Sequence, residues 1–444
     1  MKPRLQLLMA ILSGMLCFPG NLSAQQTERS LQSCIDQALE KNIQIQQNRL
    51  NIEVSRIQVD QAQTNRFPSV AASMRQGFGW GNQTDQITGT DSFDGSSSTT
   101  ASFSTGWVIY NGGKLNTSIR QARLDFESGK LDLEALKETI SLSVMDAYLQ
   151  ILYAEEQVSN SRQQIFVTTG ELRLAAERLA LSAISKADYL QIQSQLASEK
   201  LTLTNAQSLL DINNLNLMQL IEQPVDNQFS IAKPTLNDLI NRYMNPDPDS
   251  VFRIALEIKP QIKSYILKQQ ISQLGIEQAK ADYYPRLSLD AGFSTGYYSV
   301  DQSVALAGQL GKNINPTLGL SMSVPIYSNN KTRNQVQIAR LATQTADLDL
   351  KNSMNQLRKS IEQACTDVNS AEKEYEASVD QYNSNLEASA VAAEKFKQGM
   401  INSVDYLFQK TNIITAESKL LQSRYNLIFS YKLIDFYSGK SLNL

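Results

Sequence analysis

Ala392-Ala393-Glu394-Lys395-Phe396-Lys397-Gln398-Gly399-Met400-Ile401-Asn402-Ser403-Val404-Asp405-Tyr406-Leu407 is the second of two similar stretches in this chain. The first, Ala175-Ala176-Glu177-Arg178-Leu179-Ala180-Leu181-Ser182-Ala183-Ile184-Ser185-Lys186-Ala187-Asp188-Tyr189-Leu190, lies 217 positions earlier. Both begin Ala-Ala-Glu-Arg/Lys and end Asp-Tyr-Leu. Each interrupts two long heptad-like apolar series, so each reads as the tip of a helical hairpin.

The same offset holds outward from the tips. Ala38-Leu39-Glu40 matches Ala255-Leu256-Glu257, Pro68 matches Pro285, Tyr110 matches Tyr327, and Ala122-Arg123-Leu124 matches Ala339-Arg340-Leu341. A register kept over most of the chain means a duplicated unit, and two copies are too few for a solenoid array. We divide the chain into residues 25–222 as the first repeat, 223–249 as an irregular connector, 250–438 as the second repeat and 439–444 as a tail.

Proline placement separates the elements. None occurs between Pro68 and Pro224 or after Pro325, so those runs are free to be helical. Five fall between 224 and 260, marking the join between copies. Each repeat is expected to run helix, strand, strand, long helix, return helix. In copy one these are residues 31–65, 69–80, 102–110, 114–182 and on to 222, with a Gly/Ser/Thr/Asp tract from 81 to 100 between the strands. In copy two they are residues 250–282, 285–298, 316–327, 331–398 and 403–436. Leu357, Ile361, Ala364, Val368, Ala371 and Tyr375 alternate by four and three, as in a coiled coil.

Length then decides shape. A helix of roughly 67 residues is about 100 Å long at 1.5 Å per residue. Two shorter helices of about 50 Å stacked end to end match it. The result is a rod about four helices thick, whose Ala- and Leu-rich faces need neighbours. The strands alternate cleanly. Leu287, Leu289, Ala291 and Phe293 interleave with Ser288, Asp290 and Gly292, and Phe103, Thr105, Trp107 and Ile109 with Ser104 and Gly106. About ten residues is the length that a tilted membrane-spanning strand requires. A half-buried soluble sheet would alternate in the same way. Four strands cannot close a barrel, and lipid tolerates no open edge, so identical chains must complete the sheet. Three chains give twelve strands.

Composition narrows the function. The chain has no histidine, which removes the usual general base and the commonest metal ligand. Net charge is −3 with the signs interspersed, leaving no nucleic-acid footprint. No Gly-x-x-x-x-Gly-Lys-Ser/Thr sequence is present. No cofactor or catalytic residue is expected, and the protein reads as something other than an enzyme. Lys2 and Arg4, the apolar run to Phe18 and Ser23-Ala24 resemble a signal peptide over residues 1–24. Leu16 stands before Cys17 where a lipidation motif has a small residue, so lipidation is not expected.

With the duplication, the tips and the junctions Val108-Ile109-Tyr110-Asn111-Gly112-Gly113 and Val324-Pro325-Ile326-Tyr327 together, the chain resembles the outer-membrane efflux protein (TolC) family over its whole mature length. The resemblance implies a mainly α fold with a membrane β-barrel portion: a trimeric 12-stranded β-barrel continuous with a long α-helical barrel. It implies an exit duct in the outer membrane, with the helical barrel in the periplasm. The duct would be opened by a periplasmic adaptor and energised by an inner-membrane pump. Gly399 matches the family's tip glycine, where an adaptor approaches; Ser182 stands at its counterpart. Asp188 and Asp405 resemble aspartates of the periplasmic gate, although the family's second gate acid is Phe408 here. Both aspartates also lie close to the start of a return helix, where N-capping or simple solvation would account for them as well, and the readings stay open side by side. The alternative to a duct is a structural or adhesive coiled-coil envelope protein with no pore.

Overall fold

The computed structural model describes residues 28–84, 91–226, 229–234, 245–299 and 305–442. The segment expected as a signal peptide, parts of the connector and the last two residues lie outside the described residues.

Copy one contains α1 (Leu31–Lys41), α2 (Ile43–Thr64), β1 (Ser69–Thr84), β2 (Asp91–Asn111), α3 (Lys114–Ala180) and α4 (Lys186–Leu220). Copy two contains α5 (Pro248–Ile258), α6 (Pro260–Ala281), β3 (Arg286–Tyr298), a short α7 (Leu306–Lys312), β4 (Asn315–Ser323), α8 (Lys331–Lys397) and α9 (Ser403–Tyr437). The long helices are 67 residues each and the return helices 35 each. All four helix starts of copy one recur 217 residues later.

Several expectations need correction. The first helix of each copy is two helices, broken at Asn42 and at Lys259. Pro260 at the first position of α6 explains the second break, because a missing N–H costs nothing there. In copy one Asn42 does the same work by accepting from the Gln44 N–H at 2.9 Å. The connector is two residues shorter than expected, since α5 starts at Pro248 behind an Asp247 cap. Strand β2 begins at Asp91, well inside the tract read as a loop. Its Ser- and Thr-rich part pairs with β1, and residues 98–101 also pair with β3. Strand β4 stops at Ser323, before Pro325, which cannot donate to a ladder.

The sheet order is β1-β2-β3-β4, antiparallel throughout. Its register puts the four alternations in phase. Met74 lies opposite Ala101, Ala72 opposite Phe103 and Val70 opposite Thr105; Phe103 lies opposite Phe293 and Trp107 opposite Leu289; Leu289 lies opposite Leu320 and Leu287 opposite Met322. One face is thus apolar across all four strands. Among the few polar residues on this face, Thr99 donates its hydroxyl to the Gln76 side chain. The other face carries Ser73 and Ser102, whose hydroxyls meet at 2.7 Å, and Ser288 and Ser321, at 2.8 Å. A one-residue slip would have mixed the two faces. Both edge strands, β1 and β4, are paired on one side only among the described residues.

At the strand-to-helix junctions the chain needs two successive left-handed residues. Copy one uses Gly112 and Gly113, and copy two uses Asn329 and Asn330, the residue type that tolerates this conformation best after glycine. Gly112 has a second constraint, since a Cβ there would stand 2.5 Å from the Ala281 carbonyl oxygen.

Beyond the sheet the helices form two rows that share α3 and α8. In the row next to the sheet α2 packs on α3, α3 on α6, and α6 on α8; in the far row α4 packs on α3, α8 on α9, and α9 on both α3 and α4. The larger core lies where the rows meet, around Ile45, Met145, Tyr148, Ile151, Leu217, Ile221, Ile231 and Ile428. Tyr148 ties the connector to α3, its hydroxyl 2.6 Å from the Ala232 carbonyl oxygen. The coiled-coil series of α8 buries Ile361, Ala364, Val368 and Ala371 against Leu427, Tyr431 and Ile434 of α9.

Candidate functional site

The candidate site is the end of the rod where α3 turns into α4 and α8 into α9. Both long helices end in the same hydrogen-bonded motif. Ser182 N–H donates to the Leu179 carbonyl at 2.9 Å and Ala183 N–H to Arg178 at 2.8 Å. Gly399 N–H donates to Phe396 at 3.1 Å and Met400 N–H to Lys395 at 2.9 Å. This is the Schellman arrangement, whose outer residue must be left-handed. Ser182 has φ 55° and Gly399 has φ 72°. A glycine suits that position without penalty, whereas serine pays on the order of 1 kcal/mol. Ser182 and Gly399 are exposed, beside the exposed Leu181 and Met400.

The return helices start from Ser185 and Asn402. Ser185 and Asn402 are the N-caps and each aspartate stands at the third position of its helix, so Asp405 is not a cap, whereas Asp188 shares in capping as the reciprocal half of the Ser185 box. Ser185 Oγ accepts from the Asp188 N–H at 3.1 Å, and Asp188 accepts in return from the Ser185 N–H at 3.3 Å. Asn402 Oδ1 accepts from the Asp405 N–H at 2.9 Å. Carboxylates in a first helical turn also meet the positive end of the helix dipole.

Beyond this the two aspartates differ. Asp188 reaches the other hairpin, where its Oδ1 accepts from the Ser403 N–H at 3.4 Å and from the Ser403 hydroxyl. The hydroxyls of Ser185 and Ser403 hold its carboxyl below the usual aspartate range. Asp405 is exposed in a groove between α8 and α9, lined by Glu387, Val391, Lys395 and Phe408. The structure thus joins Asp188 to the start of α9 but leaves the Asp405 side chain facing solvent.

Sequence reasoning missed a buried cluster just above the tips. Lys410 Nζ lies 2.6 Å from Thr168 Oγ1, 2.7 Å from Glu171 Oε2 and 3.8 Å from Glu199 Oε1. Tyr406 donates to Glu171, and Thr168 donates to Glu199. Lys410 and Glu199 are buried. Burial first, and the Glu171 hydrogen bond second, push the Tyr406 phenol upward. The ring of Tyr406 stacks on Phe396 of α8 with centroids 4.8 Å apart. The cluster joins α9 to α3 and α4, that is, one copy to the other. Its sequence signal was present: Ser403, Lys410, Glu417 and Arg424 place a polar residue at every seventh position of α9.

Comparison with known proteins agrees with this architecture. The family model described as "Outer membrane efflux protein" matches residues 34–222 and 251–438. The alkaline protease secretion protein AprF of Pseudomonas aeruginosa is 23% identical over 307 residues, covering 68% of this chain and 62% of AprF. Outer membrane protein TolC of Vibrio cholerae is 24% identical over 307 residues, covering 67% of this chain and 66% of TolC. The matched segment thus spans just under two thirds of each relative. Among solved structures, the Campylobacter jejuni CmeC outer membrane channel superposes with a TM-score of 0.79 at 17% identity, covering 92% of this chain and 85% of CmeC. The outer-membrane channel OprN does so with 0.77 at 17% identity, covering 93% and 90%. At that identity the likeness speaks for the fold. With the family model covering both copies and leaving out the join between them, the chain belongs to the outer membrane efflux protein family.

Proposed function

We propose that three copies of this chain close into one duct, a 12-stranded β-barrel in the outer membrane continuous with an α-helical barrel in the periplasm. The observation that carries this is the sheet. Its apolar residues share one face across four strands, and both of its edges are unpaired among the described residues. An open, exposed apolar sheet is unstable in water and forbidden in lipid unless it closes.

The duplication supplies the closing rule. Within the chain, β2 of copy one pairs with β3 of copy two, with Thr105 opposite Ala291. Applying the 217-residue offset to both partners gives β4 against β1 of the next chain, with Met322 opposite Met74. Both methionines are exposed here, on the apolar face. The helical edges follow the same rule. Strings of exposed apolar side chains on α2 (Leu50, Val54, Ile57) and on α8 (Ile338, Leu341, Leu348) border the row next to the sheet. From Ser69 to Trp80, β1 rises about 30 Å when tilted by about 40°, close to the apolar band of an outer-membrane barrel. Exposed aromatic residues mark both limits: Phe67, Tyr284 and Tyr110 at the helix side, Phe78 and Trp80 at the far side.

The duct is passive. Polar strand faces line the water-filled bore, and the two repeats (25–222 and 250–438, joined by 223–249) contribute alternate sectors of the wall. The hairpin tips form the periplasmic mouth, with Asp188 and Asp405 at the gate and Ser182 and Gly399 where a periplasmic adaptor docks. A pump in the inner membrane supplies the free energy, and the adaptor favours the open form of the tips. The names of the relatives refer to different cargoes, among them alkaline protease and pyoverdine. No cargo is assigned to this chain. Purified protein added to a planar lipid bilayer should give stable conductance steps; a protein that inserts nowhere and conducts nothing is the pore-less coiled-coil alternative.

A further inference from the structure

Toward the tips, the seam within the α8–α9 hairpin and the seam between the two hairpins are built from different chemistry. Inside the α8–α9 hairpin the packing is mainly apolar, with Ile361, Val368, Leu427 and Ile434 along its length and Ala392, Leu407 and the Phe396–Tyr406 stack at its tip; the polar contacts Tyr431–Glu372 and Lys419–Glu374 lie away from the tip. Where α9 meets α3 and α4, Leu421, Tyr425 and Ile428 join the apolar core away from the tip, but from Arg424 to the tip a polar contact recurs at every seventh residue. Ser403 meets Asp188 and Gln191, Lys410 meets Thr168, Glu171 and Glu199, Glu417 accepts from Gln164 at 3.4 Å, and Arg424 lies 3.7 Å from Glu156. Residues 403, 410, 417 and 424 fall on one stripe of the helix. Burial raises the Glu417 carboxyl, as expected of an acid withdrawn from water.

Parting an apolar seam exposes surface that water cannot satisfy. Parting a polar seam exchanges protein partners for water, which restores nearly every lost interaction. Buried ion clusters are seldom more stable than apolar packing of the same volume. The Lys410 cluster is therefore a poor choice for holding two hairpins together, and a good one for a seam that must open at low cost.

We propose that the Lys410–Glu171–Glu199 cluster is a release device: it keeps the seam between the two hairpins wettable, so that the tips can part and their buried charges become hydrated. This rests on the reading of the tips as a mouth that opens. It differs in sign from a latch, whose removal frees the tips. Here, removing all of the polarity should lock them.

The test is single-channel recording in planar bilayers on assembled protein. The first variant combines Lys410→Met, Glu171→Met, Glu199→Met and Tyr406→Phe, and leaves the Thr168 hydroxyl its bond to the Gln164 carbonyl. Expected are a higher melting temperature and at least a tenfold fall in the time spent open. An open time unchanged or increased overturns the proposal. The second variant, Lys410→Gln with Glu199→Gln, removes the central charges and keeps the seam polar, so it remains decisive should the first fail to assemble. Its open time should stay within about threefold of wild type; a rise of tenfold or more shows a latch and overturns the proposal. Wild-type protein that never conducts would instead contradict the duct itself.

Discussion

The two tips share one backbone and differ in how they are held. Each ends its long helix in a Schellman turn and restarts from a polar cap, at positions 217 residues apart. The first tip places a serine in the left-handed position and commits its aspartate to the neighbouring hairpin. The second has glycine there, with nothing within 4 Å of an added Cβ, and its aspartate faces solvent. Duplication preserved the turn, whose hydrogen bonds need only the backbone. The side chains were free to diverge, one copy toward internal ties and the other toward an open surface.

The largest test of that difference is a bulky charge at each turn. Gly399→Glu has room for its side chain and costs only on the order of 1–2 kcal/mol of left-handed strain. We expect export by the assembled system to fall at least tenfold while the trimer persists; Ser182→Glu should have the smaller effect. Normal efflux in the Gly399 variant would remove the docking role from the second tip.

The aspartates come next. Asp188→Ala removes the acceptor that Ser403 uses and half of the Ser185 capping box, so the time spent open in bilayers should rise several-fold. Asp405→Ala should leave opening nearly unchanged and alter block by polyvalent cations, with trimer assembly intact in both variants. Equal behaviour of the two would erase the distinction between a tied and a free aspartate.

A pH series sharpens it further. The Asp188 carboxyl is held below its ordinary value, so its contribution to tip closure is complete above the unfolded pKa of about 3.9 and is lost as pH falls through the lower folded value. Opening attributable to this group should be flat from pH 8 to about 4.5 and rise only below about pH 4. Asp188→Asn should abolish the rise, and a transition centred near neutral pH would show that another group controls the mouth.

The smallest effect is conformational. Ser182→Gly should stabilise the first tip by about 1 kcal/mol and Gly399→Ser should destabilise the second by a similar amount. Both are readable as local hydrogen-exchange protection of the Schellman amides.

Much of the fold was legible because the duplication let each copy check the other. Proline-free runs flanked by matched junctions set the long helices to within two residues, and strand alternation identified the apolar face. The breaks at Asn42 and Lys259 were harder. Pro260 signals the second, but Asn42 interrupts an otherwise good helical pattern with no proline or glycine, and only its side-chain cap reveals the stop. The early start of β2 was hidden because a Ser/Thr/Gly tract has loop composition, and it becomes a strand only through its neighbours. At the site, the turns were readable from local sequence. The Lys410 cluster was not, since Thr168, Glu171, Glu199 and Lys410 converge from three helices and only a seven-residue polar spacing on α9 hints at a common face.

Ring closure is the claim on which the rest depends, and the offset names the residues that test it. Protein carrying Met74→Cys and Met322→Cys should be oxidised in detergent and run on a denaturing, non-reducing gel; Cys34 and Cys365 are buried and should not interfere. The account predicts covalent products that stop at three chains. Chains that stay single, or a ladder running past three, would contradict it.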